Sequence, residues 1–237
     1  MSIFGAEVIG TAILILLGNG VVACVLLNLS KGQNSGWIVI TFGWGMGVMA
    51  AAFAVGQFSG AHLNPAVTLG FAISGDIDWG DVPEYLAGEF VGAFVGATLV
   101  WLAYLDHWRE TEDPGLKLAC YCTAPAIRNP VANLITEVIG TFLLVFGILA
   151  FFANEATAAT GLGALIVGLL VFAIGLSLGG PTGYAINPAR DLGPRIMHAI
   201  LPIAGKGDSD WSYAWIPVVG PLVGGALGAG AFELFFP

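Results

Sequence analysis

Ser59-Gly-Ala-His-Leu-Asn-Pro-Ala-Val-Thr-Leu-Gly70 and Thr182-Gly-Tyr-Ala-Ile-Asn-Pro-Ala-Arg-Asp-Leu-Gly193 are two versions of one stretch. Aligned without gaps at an offset of 123 residues, they pair Gly60 with Gly183, Leu69 with Leu192 and Gly70 with Gly193. The triplet Asn64-Pro65-Ala66 pairs with Asn187-Pro188-Ala189. Each copy reads as a bend that opens a helix. Asn supplies an N-cap oxygen, and Pro at the first helical position lacks an N–H that would have no intrahelical partner anyway. A single Asn-Pro is only a turn-and-cap signal. Two copies in matched hydrophobic surroundings point to a duplication.

Those surroundings belong in a bilayer. Charged residues make up 10% of the chain and the mean hydropathy is +0.87, whereas a soluble domain carries about 25% charged residues. The 237 residues suffice for six spans with connections, at about 20 residues per span. The formal charge of −9 comes from 16 acids against 7 bases, which leaves little surface for nucleic acid. The first apolar run starts almost at Met1 without a basic segment ahead of it and is long enough to span. It therefore reads as a span and not as a cleaved signal peptide. Of the cysteines, Cys24 reads as a small packing residue. Cys120-Tyr-Cys122, with His107 the only nearby His, gives a weak case for a disulfide or a metal. No metal and no cofactor are expected.

Apolar runs place the spans at about residues 3–27, 37–56, 85–105, 131–152, 161–178 and 215–236. After the second span of each half comes an Asn-Pro-Ala segment, running to about residue 73 or 201. These segments are too short to cross. The longest polar stretch, residues 107–129, divides one transmembrane domain, 1–237, into repeats at 1–106 and 131–237 joined by residues 107–130. Glu7-Val-Ile-Gly-Thr11 recurs as Glu137-Val-Ile-Gly-Thr141. Gly88, Gly92 and Gly96 are echoed by Gly220, Gly224 and Gly228 at an offset of 132, a spacing that grooves one helix face for close contact in lipid. Three spans per half force the second half to enter from the opposite side, so the repeats are inverted. The predicted fold is an all-α membrane protein of six transmembrane helices and two re-entrant half-helices whose Asn-capped ends meet near the midplane.

Non-helical backbone at membrane depth is tolerated where it lines a watery cavity or is buried in protein. In an extended run, Gly60, Ala61, His62 and Leu63, with Gly183, Ala185 and Ile186, would present a line of carbonyl acceptors to hydroxylated molecules in single file. The two Asn amides and the positive half-helix ends would repel cations and hydronium. Glu7 and Glu137, at equivalent places in apolar spans, read as braces for the re-entrant backbone; coupling of protons is the alternative. Arg190 has no counterpart, since Val67 stands at its place, and should face the pore. A salt bridge to Asp191 is its structural alternative. His62 either lines the pore or bonds locally, and His198 reads as a helix-end residue.

On these residues the chain resembles the major intrinsic proteins, or aquaporins, over essentially its whole length. It is most similar to their glycerol-facilitator branch, the aquaglyceroporins: Asp191 directly follows Asn-Pro-Ala-Arg and Arg195 lies four further on. Pro217 fits the same branch, and Val218 departs from its commoner Leu. The resemblance implies a right-handed bundle, a homotetramer with one pore per subunit, a bacterial plasma-membrane location and cytoplasmic termini. The last point opposes the count of basic residues. Lys31, Arg109, Lys117, Arg128 and Lys206 lie in the loops after spans one, three and five, and the positive-inside rule would make that side cytoplasmic. The family arrangement is followed. The resemblance also implies a selectivity filter of Trp44, Gly175, Tyr184 and Arg190, with Tyr184 where Phe is familiar.

The expectation is a passive channel for glycerol, similar small neutral solutes and water, excluding protons and ions. Lactic acid, dihydroxyacetone, urea and hydrogen peroxide are alternative permeants, as is mainly water. An ion-coupled transporter would need Glu7 and Glu137 as coupling groups. An enzyme would need a Ser/His, Cys/His or metal constellation at depth, and the sequence offers none that convinces.

Overall fold

In lipid the backbone must satisfy its own polar groups, so long apolar runs become helices. The structure, a computed structural model, describes residues 1–236 and all their side chains but those of 158 and 159. Five helices are long and apolar enough to cross a membrane: α1 (Ile3–Leu26), α2 (Trp37–Ser59), α4 (Val82–Ala103), α7 (Pro130–Phe152) and α11 (Ile216–Phe235). Between them lie α3 (Pro65–Ser74), α9 (Gly163–Leu178) and α10 (Pro188–Ile200). Short turns α5 (His107–Glu110), α6 (Pro114–Ala119) and α8 (Glu155–Thr160) complete the described helices. The fold is all-helical.

The fifth predicted span is shorter than the apolar run suggests. Gly161 takes a left-handed conformation after α8, and α9 begins only at Gly163, leaving 16 residues. At 1.5 Å per residue that is about 24 Å, short of a bilayer core. α8 packs on α7 and α9 at that end. The polar mid-chain stretch is likewise more ordered than a plain loop: it holds α5 and α6, and Lys117 is buried with its Nζ donating to the Ala204 carbonyl.

Packing follows the duplication. α1 lies against α2 and α4, and α7 against α9 and α11. Each half-helix reaches across, α3 onto α11 and α10 onto α4. On the pseudo-two-fold axis α2 meets α9 through Gly45 and Gly168, which are 123 residues apart. A Cβ on either would come within 2.6 Å of the other's carbonyl oxygen.

The expected grooves are contact surfaces. A Cβ on Gly92 would lie 2.5 Å from the Val8 carbonyl, and one on Gly224 would lie 2.4 Å from the Val138 carbonyl. Backbone cannot yield as a side chain can. We therefore expect Gly224→Val to pry α11 from α7 at a cost of about 3 kcal/mol or more, with Gly224→Ala intermediate. Thermal midpoints of the purified variants in detergent check the order; three equal midpoints would remove the close contact.

Candidate functional site

The two half-helices begin alike. Asn64 Oδ1 accepts the Ala66 N–H at 2.9 Å, and Asn187 Oδ1 accepts those of Ala189 and Arg190 at 3.0 and 3.1 Å. With the oxygens committed to capping, the amide nitrogens reach across the axis. Asn64 Nδ2 donates to the Ile186 carbonyl at 2.7 Å, and Asn187 Nδ2 donates to the Leu63 carbonyl at 2.8 Å. Pro65, Ala66, Pro188 and Ala189 are buried behind the caps.

The residues ahead of each cap depart from the extended run expected of them. Positive φ occurs at Gly60 (81°), Ala61 (55°) and Leu63 (58°), and at Gly183 (81°), Tyr184 (41°) and Ile186 (42°), the same positions in each repeat. Left-handed backbone at a residue with a Cβ costs on the order of 1–3 kcal/mol, so something must hold it. Glu7 accepts the N–H groups of His62 (3.1 Å) and Leu63 (2.7 Å) and the Ser59 hydroxyl (2.6 Å). Glu137 accepts those of Ala185 (3.0 Å) and Ile186 (2.8 Å). The zigzag keeps the carbonyls of Gly60, Ala61, His62, Gly183, Tyr184 and Ala185 free of protein donors among the described residues. Those of Leu63 and Ile186 are occupied by the opposing Asn amides.

These segments wall a cavity of about 660 Å³ that also takes in Trp44, Asn64, Asn187 and Arg190. The Arg190 guanidinium sits 4.2 Å over the Trp44 ring, a cation–π contact. It has no protein acceptor among the described residues, because Asp191 faces away. Asp191 instead accepts Arg195 Nε at 2.9 Å and both the N–H and hydroxyl of Thr123 at 2.7 Å. Arg195 donates onward to the carbonyls of Ser209 and Thr123. Asp191 and Arg195 are both 0% exposed.

Tyr184 stacks edge-on against Trp37 at 5.8 Å, and Trp37 Nε1 donates to the Gly175 carbonyl at 3.0 Å. A Cβ on Gly175 would come within 2.7 Å of the Tyr184 ring. Gly175 therefore seats that ring and does not itself line the cavity; neither does Gly183, which packs on Thr123. The Tyr184 hydroxyl and Trp44 Nε1 are buried without a protein partner among the described residues. At the offset of 123, Trp44, Gly175, Tyr184 and Arg190 correspond to Val167, Ala52, Ala61 and Val67. All four of these counterparts line the same cavity. The polar set thus has an apolar, uncharged counterpart in the other half.

This architecture has matches among known proteins. The sequence profile described as "Major intrinsic protein" matches residues 2–232. The chain belongs to the major intrinsic protein family. This major intrinsic protein is 59% identical over 236 residues to the "Probable glycerol uptake facilitator protein" of Thermotoga maritima, with 100% of both chains covered. It is 57% identical over 236 residues to the "Glycerol uptake facilitator protein" of Bacillus subtilis, covering 100% of this chain and 85% of that one. The X-ray structure of the aquaglyceroporin from Plasmodium falciparum superposes with a TM-score of 0.82 at 28% identity, over 98% of this chain and 95% of that one. With its several apolar helices, the chain is a multi-pass membrane protein.

Sequence reasoning missed Glu89, a further buried carboxyl, which accepts the Asn64 N–H at 3.1 Å and the Thr68 hydroxyl at 2.7 Å. Its signal, an acid within a Gly-spaced apolar span, was present, but no copy in the second half drew attention to it. His198 lies in the last turn of α10, as its reading as a helix-end residue has it, and its ring is fully buried with Nδ1 2.9 Å from the Ser209 hydroxyl. Cys120 and Cys122 are buried free thiols.

Because Asp191 and Arg195 neutralise each other out of water, Asp191→Asn strands a buried cation. We expect a loss of roughly 3–5 kcal/mol, against about 1 kcal/mol for removing the Thr123 hydroxyl in Thr123→Val. Thermal midpoints of the two variants check the ranking, and equal small effects would show the pair to be solvated.

Proposed function

We infer that this chain is a passive channel for glycerol and similar small neutral solutes, with water also passing, and not an enzyme. The observation that carries the reading is a cavity lined both by apolar side chains and by backbone without protein donors to its carbonyls among the described residues. Its free carbonyls accept hydroxyls, while its apolar side chains accommodate a carbon backbone. At its constriction, an unpaired guanidinium beside the Trp44 and Tyr184 rings donates to a hydroxyl and repels cations. The amide nitrogens of Asn64 and Asn187, with two half-helix N-termini behind them, oppose protons at the centre. Relatives named as glycerol uptake facilitators support glycerol over the other neutral solutes.

Glu7 and Glu137 act as braces in this reading. Both oxygens of each are engaged by backbone N–H groups, which leaves no free carboxylate to couple an ion. The two halves act as inverted repeats of one domain, in a homotetramer in a bacterial plasma membrane with both termini cytoplasmic. The basic residues that argue against this orientation are partly engaged elsewhere. Lys206 Nζ caps α10 through the carbonyls of His198, Ala199 and Leu201, and Arg128 pairs with Asp210.

Stopped-flow swelling of proteoliposomes tests the proposal. Glycerol flux should be linear in gradient, weakly temperature-dependent and indifferent to pH or sodium gradients; saturation or coupling would sink the channel reading. Tyr184→Phe should change the glycerol-to-water ratio severalfold at an unchanged thermal midpoint, and an unchanged ratio removes Tyr184 from the filter. Arg190→Val should admit larger or cationic solutes, and an unaltered permeability spectrum would count against its role.

A further inference from the structure

His62, Thr68 and Glu89 form a buried chain of hydrogen bonds beside the first half-helix. His62 Nδ1 lies 3.0 Å from Thr68 Oγ1, and the Thr68 hydroxyl donates to Glu89 Oε1 at 2.7 Å. The same Oε1 accepts the Asn64 N–H at 3.1 Å. The second repeat has nothing like it. At offsets of 123 and, for the Gly-spaced helix, 132, Ala185, Asp191 and Pro221 replace the three residues.

The single proton of Thr68 sets the direction of the chain. The hydroxyl oxygen of a carboxylic acid is a poor acceptor, and the Asn64 N–H needs an acceptor. Oε1 is therefore the unprotonated oxygen of Glu89, whatever Oε2 carries. Thr68 gives its proton to Oε1 and keeps only lone pairs for His62. A ring nitrogen facing a lone pair must be an N–H, so Nδ1 is protonated; burial with no carboxylate in contact among the described residues keeps the ring neutral, which leaves Nε2 bare. The assignment follows from the network and not from an observed hydrogen. The ring is clamped, stacked on Tyr85 at 4.2 Å and tilted against Phe71 at 4.7 Å. His62 lines the cavity, and its Nε2 lies beside Gly60, 3.6 Å from where a Cβ would be. Unlike Nε2 of His198, it is not sealed off from the cavity.

We propose that Glu89, acting through Thr68, holds His62 in the tautomer whose bare Nε2 faces the lumen as an acceptor for the hydroxyls of a passing polyol. The final step rests on the channel reading. Glu89 and Thr68 are positioning residues, and His62 alone meets the solute. Its nitrogen adds a side-chain acceptor to the row of carbonyls at Gly60 and Ala61.

Solid-state NMR of the full-length protein in lipid bilayers, labelled with ¹⁵N-histidine, reads the tautomer directly. The His62 signals are identified by their loss in His62→Gln. We expect a protonated Nδ1 and a bare Nε2 in the unsubstituted protein and in Thr68→Ser, and a mixed or reversed tautomer in Thr68→Val. Glycerol flux should fall severalfold in Thr68→Val and recover in Thr68→Ser. A proton on Nε2 in the unsubstituted protein overturns the proposal even if Thr68→Val does not fold. A Thr68→Val spectrum like the original overturns it as well. The ring spectrum needs no permeant. The expected tautomer without glycerol flux in the unsubstituted protein would overturn the lumenal acceptor role and strike the channel reading, leaving the Glu89–Thr68–His62 geometry in place.

Discussion

Backbone polar groups in the middle of a bilayer must find partners inside the protein, and two asparagines meet that demand where the helices are interrupted. Each Asn uses its oxygen to cap its own half-helix and its nitrogen to bind a carbonyl of the opposite one. The exchange is reciprocal, so neither half-helix can shift without breaking a bond to the other. Glu7 and Glu137 do the same for the N–H groups just upstream. The strained backbone at Ala61, Leu63, Tyr184 and Ile186 persists because these bonds over-determine it. The same zigzag leaves the carbonyls of Gly60, Ala61, His62, Gly183, Tyr184 and Ala185 without a protein donor among the described residues.

The duplicated and the unduplicated residues divide along a physical line. Gly45 with Gly168, Gly60 with Gly183, Asn64 with Asn187 and Glu7 with Glu137 are repeated; the first and third pairs join the halves, and the other two shape the backbone of each half-helix entry. Gly45 and Gly168 meet each other and the two Asn residues exchange bonds with the opposite loop, so a change to one copy breaks a matched contact. Trp44, Gly175, Tyr184 and Arg190 are not repeated. Away from the axis each site stands alone and can diverge, which allows Trp44, Tyr184 and Arg190 to line the cavity in one half where Val167, Ala61 and Val67 line it in the other. Thr68 and Asp191 illustrate the freedom: at matching positions, one turns to His62 and Glu89, the other to Thr123 and Arg195.

Glu89 extends that logic. Its span offers no counterion among the described residues, and Oε2 has no protein partner. Burying such a group is costly, yet its other oxygen serves two donors that would otherwise be orphaned or misdirected. The arrangement also links His62 to Glu89 through Thr68, so the ring cannot be read in isolation.

Several features were legible from composition and pattern. Hydropathy located the spans, because lipid allows only helices there, and an odd number of spans per repeat required inversion. The paired Asn-Pro-Ala stretches marked the half-helix starts, because capping chemistry is local. Periodicity could not show that residues 60–63 zigzag, that α9 stops at 16 residues, or that Gly175 seats a ring and lies off the cavity. Those depend on what a neighbour from the other half presents. The sequence by itself determined which groups would need partners at membrane depth. Only the tertiary structure decided which partners they take, because an inverted fold brings together residues more than a hundred positions apart.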